Sequence, residues 1–128
     1  MTRIERAQAM RNNTERHYNC AQGVLLAFSD VLEMDEEQMF NLTIHCGGGL
    51  RHGGTCGALV GALMVLAAKG KSQEEVVAFL NKAKGPFGDT FVCAELTGPY
   101  AGQDAERKVF CDGLVCKATA MVEAELGL

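Results

Sequence analysis

Apolar and polar positions alternate with helical spacing along nearly the whole chain. Arg3 to about Arg16 is rich in helix formers and charges and reads as an amphipathic helix. Asn19 suits the N-cap of a second helix, in which Val24, Leu25, Phe28, Val31 and Leu32 would share a core face. Asp35 suits the cap of a third, with Glu36 and Glu37 in the first turn near the positive end of the dipole. Met39, Phe40 and Ile44 are its expected buried residues, and Gly47-Gly48-Gly49 is its expected stop.

Thr55 is the expected cap of a fourth helix, Cys56 to about Lys69. This stretch is apolar almost all round, so it belongs in the middle of a bundle. Gly57 and Gly61, one turn apart within it, would allow a neighbouring helix or a bound group to come close. Ser72 and Glu75 form a capping-box pattern for a fifth helix to about Lys84, buried through Val76, Val77, Phe79 and Leu80 and broken by Gly85-Pro86. Cys93 to Leu96 reads as a short helical turn. Asp104 to about Leu126 is the last helix, with Val115, Ala118, Thr119, Val122 and Leu126 as its stripe and Gly113 inside it. No segment alternates with strand period over a useful length. The expectation is an all-α, single-domain compact bundle of about five to six helices over residues 1–128, with a buried central helix near 56–69.

Composition narrows the classes. The chain has 128 residues, enough for one core. Its net charge of -4 and scattered Lys and Arg argue against a nucleic-acid partner. The longest uncharged apolar stretch, Ala58 to Ala68, is short of the ~18 residues of a membrane span. The N-terminus, Met-Thr-Arg-Ile-Glu-Arg, lacks the apolar region of a secretory signal, so a cytoplasmic location is expected.

Six cysteines then become the main chemical feature: Cys20, Cys46, Cys56, Cys93, Cys111 and Cys116. In a reducing compartment such a count points to redox or metal chemistry. None forms a Cys-x-x-Cys pair, so spacing alone supports no cofactor. Cys20 and Cys56 each follow a cap residue, where unpaired N–H groups and the helix dipole favour thiolate. The competing reading is a small buried residue. Cys93 and Cys111 could be core. Cys46 could lie near Cys56. Cys116, five helical steps from Cys111, falls on another face and reads as packing. His17, His45 and His52 lack metal-site spacing; His52, in the glycine loop, is expected to be exposed or to support a neighbouring group. The glycine run 47–54 lacks both phosphate-loop patterns, so nucleotide binding is not expected. Its N–H groups could instead stabilise thiolates or cluster sulfurs. No catalytic triad is evident.

Asn19-Cys20-Ala21-Gln22, Gly54-Thr55-Cys56-Gly57-Ala58-Leu59-Val60-Gly61-Ala62, Cys93-Ala94-Glu95-Leu96-Thr97-Gly98 and Cys111 resemble the C_GCAxxG_C_C family of redox-active proteins, from about residue 15 to 122. The resemblance implies a four-cysteine site at Cys20, Cys56, Cys93 and Cys111. A related module in split-Soret cytochromes implies an iron–sulfur centre; covalent haem is not expected, because Cys-x-x-Cys-His is missing. Four thiolates can hold an iron–sulfur cluster or zinc, and iron would imply electron transfer with a redox partner protein. The alternatives are a reversible Cys20–Cys56 dithiol and a non-catalytic helical interaction protein with buried cysteines. A homodimer would help to cover the apolar fourth helix.

Overall fold

Three helices start at reciprocal caps, in which a side chain at each end of the first turn satisfies a backbone N–H of the other. Thr2 with Glu5 opens α1 (Arg3–Arg11), Asn19 with Gln22 opens α2 (Cys20–Ala27), and Ser72 with Glu75 opens α5 (Gln73–Phe87). Asp35 caps α3 (Glu36–Leu42). The others are α4 (Gly57–Ala68), α6 (Cys93–Thr97) and α7 (Asp104–Leu126), with a 3-10 turn at Gly98–Tyr100. The structure, a computed structural model, describes residues 1–128. It is all-α, its only β pairing being the isolated bridge between Thr55 and Val92. Seven α-helices and the 3-10 turn replace the expected five to six helices. The surplus lies between α5 and α7, where the expected helical turn at Cys93 to Leu96 forms as α6 and a 3-10 turn follows it.

Other expectations shift for local reasons. α1 ends at Arg11, not Arg16, because the Asn13 side chain accepts the Glu15 and Arg16 N–H groups and turns the chain. α3 ends at Leu42, before the glycines. There the Thr43 hydroxyl donates to the Met39 carbonyl at 2.7 Å, and the Thr43 carbonyl accepts from Asn19 Nδ2 at 2.9 Å. Ile44 consequently stays outside the core. The cap residue of α4 is Cys56 itself, while Thr55 sits in the bridge to Val92. α5 continues through Pro86 to Phe87 and stops at Gly88 in a left-handed conformation, φ 72°. It buries Phe79, Ala83 and Phe87, whereas Val77 faces out. α7 has its expected bounds and buries Val115, Ala118, Thr119 and Val122.

α4 is the central helix, packed on α2 and α7, with Ala58, Leu59, Ala62, Val65 and Leu66 buried. It joins a continuous core of 23 residues. Each large side chain in such a core stabilises the fold by about 1.5–3 kcal/mol. The approach of α4 to α2 depends on its glycines. A Cβ at Gly61 would lie 2.5 Å from the Ala21 carbonyl oxygen, and one at Gly57 would lie 3.2 Å from Cys20 Cβ. No helix is long and apolar enough to cross a membrane.

Candidate functional site

Four cysteines from four elements line one cavity of 680 Å³. Cys20 is the first residue of α2, Cys56 the cap residue of α4, Cys93 the first residue of α6, and Cys111 lies two turns into α7. Asn19, Gln22, Gly47, Gly48, Gly49 and Gly57 complete the inner wall, and Arg11, Arg51, Arg107 and Lys108 bring positive charge.

The wall is held by backbone-directed bonds. Asn19 Nδ2 reaches the Thr43 carbonyl, and Gln22 Nε2 reaches the Phe40 carbonyl at 2.9 Å, so the start of α2 is tied to the end of α3. Gly48, Gly49, Leu50 and Arg51 are four consecutive left-handed residues, with φ of 60°, 61°, 59° and 66°. Leu50 and Arg51 bear strain of roughly 1–2 kcal/mol each, since their Cβ atoms crowd the following carbonyl. Arg51 is fixed there by donating from Nε to His45 Nδ1 at 2.9 Å and from Nη2 to the Ile44 carbonyl at 3.1 Å. Gly54 N–H closes the turn on the Gly49 carbonyl, and Cys93 N–H donates to the Gly54 carbonyl. A Cβ at Gly49 would lie 2.6 Å from Cys93 Cβ, so this glycine lets Cys93 seat against the turn.

The thiols differ in charge state. The Cys20 thiol beside it holds Cys111 down at about 6, with help from Arg107 and Arg11 against the opposing effect of burial. Cys20 moves well up, because it supplies the shared proton to Cys111 and because it is buried. Burial also raises Cys56, although the Ala58 and Leu59 N–H groups at the start of α4 oppose it. The expectation that both helix starts favour thiolate is not met: at Cys20 the hydrogen bond with Cys111, and then burial, raise the pKa, and at Cys56 burial outweighs the helix end. All six cysteines are free, and no three His, Cys, Asp or Glu side chains converge as they would around a single metal ion.

The sequence model of the family described as "Putative redox-active protein (C_GCAxxG_C_C)" matches residues 18–125. The chain belongs to this family. No curated protein and no solved structure matches it. In this C_GCAxxG_C_C protein, the cysteines that lie outside the family's pattern also lie outside the cavity. Cys116 donates to Gln8 Oε1 at 3.5 Å on another face of α7, and Cys46 is half-buried behind Gly57. His17 stands at the cavity edge, whereas His45 and His52 are exposed and do not line it. Sequence reasoning missed Arg11 and Arg107, which line the cavity. Arg11 and Arg107 look like any other charge on an amphipathic helix, and only tertiary packing distinguishes them.

Proposed function

We propose that the chain is an electron-transfer protein whose centre is an iron–sulfur cluster held by Cys20, Cys56, Cys93 and Cys111. The observation that carries this reading is the convergence of four cysteines, far apart in sequence, on one cavity from which Cys46 and Cys116 are excluded. The donor set fits: four thiolates are the usual ligands of such a cluster. Zinc fits less well, because a single ion needs its sulfurs drawn tightly together, at about 2.3 Å from the metal, and no three candidate ligands converge in that way. A polynuclear group spaces its ligands more widely. When bound, the cluster supplies one-electron redox chemistry. The chain supplies the rest: Arg11 and Arg107 offset thiolate charge, the cores of α2 and α4 exclude water, and the glycine turn closes one wall. The expected partner is a redox protein.

Anaerobic purification or reconstitution, followed by iron and sulfide analysis and an absorption spectrum, tests the reading. Broad visible absorption with stoichiometric iron is expected. Cys→Ser at 20, 56, 93 or 111 should each remove it, and Cys46→Ser and Cys116→Ser should not. A colourless, iron-free protein after reconstitution would sink it.

One observation favours a second reading. Cys111, beside Cys20, has the largest effect on the Cys20 pKa, raising it through a hydrogen bond, ahead of burial. A reversible Cys20–Cys111 disulfide, formed with loss of two electrons to a partner disulfide, would use that pair. This exchange would survive Cys56→Ser and Cys93→Ser, which separates it from the cluster. Six inert thiols and no metal would leave the protein as a helical interaction module.

A further inference from the structure

Of the six arginines, Arg3, Arg6, Arg11 and Arg16 each hold a carboxylate. The two that do not, Arg51 and Arg107, both line the cysteine cavity, and both are exposed at its mouth. They come from different elements. Arg51 belongs to the glycine turn, and Arg107 to α7, one helical turn before Cys111.

Arg51 is held in place against its own backbone preference. Its φ of 66° lies in the left-handed region, a strain that survives only where the surroundings over-determine it. Nε donates to His45 Nδ1 and Nη2 to the Ile44 carbonyl, which leaves Nη1 with no partner in the chain. A guanidinium fixed in this way has already lost its side-chain freedom before a partner arrives, and its open edge suits a carboxylate. Apolar side chains stand beside it. Ile44, which also lines the cavity, is 37% exposed, and Leu50, between the lining residues Gly49 and Arg51, is 42% exposed. Arginines around a small apolar contact are the composition of a protein interface, whereas a small anion would have no use for Ile44 and Leu50.

The charge at the mouth also runs against that of the molecule. The chain carries a net charge of -4, yet Arg11, Arg51, Arg107 and Lys108 line the cavity against one lining carboxylate, Asp104. Asp112 offsets part of the charge of Arg11 and Lys108, and it reaches neither Arg51 nor Arg107. An acidic protein is thus repelled by most of the surface and attracted at the mouth, which orients it on approach.

We propose that the mouth of the cysteine cavity is the docking surface for an acidic redox protein, whose carboxylates are received by Arg51 and Arg107 around an apolar contact with Ile44 and Leu50. The inference rests on the cavity being the redox centre and names the chemistry of its partner. Four side chains make a small patch, so the encounter is transient and sensitive to salt.

The test titrates isotope-labelled protein as purified, its iron content measured first, with a plant-type ferredoxin as the acidic probe and cytochrome c as the basic one. At low ionic strength the ferredoxin should shift the amide signals of residues 47–51 and 107–111, and its affinity should fall in high salt. Arg51→Asn, which suits a left-handed backbone, and Arg107→Gln should each weaken binding by about tenfold, the loss expected of one interface arginine. Lys84→Gln removes an exposed charge of α5 outside the cavity and should bind like wild type. No ferredoxin binding, binding that both arginine variants retain, or equal weakening by Lys84→Gln overturns the proposal. Tighter binding of cytochrome c or of a DNA oligonucleotide overturns it too. Arg107→Gln alone decides the matter if Arg51→Asn disrupts the turn. An iron-free preparation removes the cluster reading and leaves the docking comparison standing, whereas an iron-loaded one that ignores ferredoxin removes the docking proposal alone.

Discussion

Cys56 and Cys111 show how a thiol's depth can outweigh its place on a helix. Cys56 sits at a helix start, the favoured location for a thiolate, but burial raises its pKa. Cys111 lies inside a helix, and its pKa falls to about 6 from an ordinary 9.0 because Cys20 and two arginines face it. In the metal-free protein, folding is therefore favoured by Cys111 ionisation as pH rises above about 6, fully so above 9.0, and that contribution is lost as pH falls through about 6. Iodoacetamide should consume Cys111 first, with a rate that is half-maximal near pH 6. Equal labelling of Cys20 and Cys111 across the pH range would contradict this charge assignment. Helix positions of the cysteines were legible in the sequence. Their charge states were not, because they depend on Arg11 and Arg107, which reach the site from other turns or other helices.

Among the elements, α7 and the capped starts of α2 and α5 were read correctly because their signals are local: a cap, a stripe, a terminal glycine. The ends of α1 and α3 were not. Asn13 and Thr43 end those helices through side-chain bonds that a scan for glycine and proline does not register. The mid-helix glycines Gly61, expected to allow a close approach, and Gly113 differ in their contacts. Gly61→Ala would press a Cβ onto the Ala21 carbonyl, and overpacking of this kind costs about 1–3 kcal/mol. Gly113 has open space around it, so Gly113→Ala should instead stabilise α7 by roughly 0.4–1 kcal/mol. Thermal melts of the two variants should move in opposite directions. Leu50→Gly should raise the melting temperature by relieving the left-handed strain, worth roughly 1–2 kcal/mol before the entropy of glycine is subtracted. A lower melting temperature would mean that Leu50 contributes packing that exceeds its strain.

Across the whole molecule, ion pairs at the periphery tie the first helix to the rest. Arg3 joins Asp30, just beyond α2, to Glu123 near the end of α7. The hydrogen bonds from Arg3 hold the Asp30 pKa below its ordinary 3.8, against a smaller opposing effect of burial. The stability this adds is present above pH 3.8 and is lost as pH falls through the lower folded value. Asp30→Asn should therefore lower the melting temperature at neutral pH, with the gap to wild type closing in acid. Because the pair is partly exposed, the gap should also narrow in high salt. The all-α class was legible from periodicity, and the family's four-cysteine set from its motifs. What the sequence did not contain was the meeting of those cysteines, because no two of them share a helix and only the finished packing sets their separation.

The contact of Gly57 with Cys20 gives that separation an unusual basis. The offset between the starts of α2 and α4 leaves no room for a side chain at Gly57, where a Cβ would lie 3.0 Å from the Cys46 carbonyl oxygen and 3.2 Å from Cys20 Cβ, and no bond joins the two sulfurs. The bore of the cavity is thus a property of the frame. It should have the same calibre whether empty or filled, so a guest of the wrong size would be refused instead of accommodated.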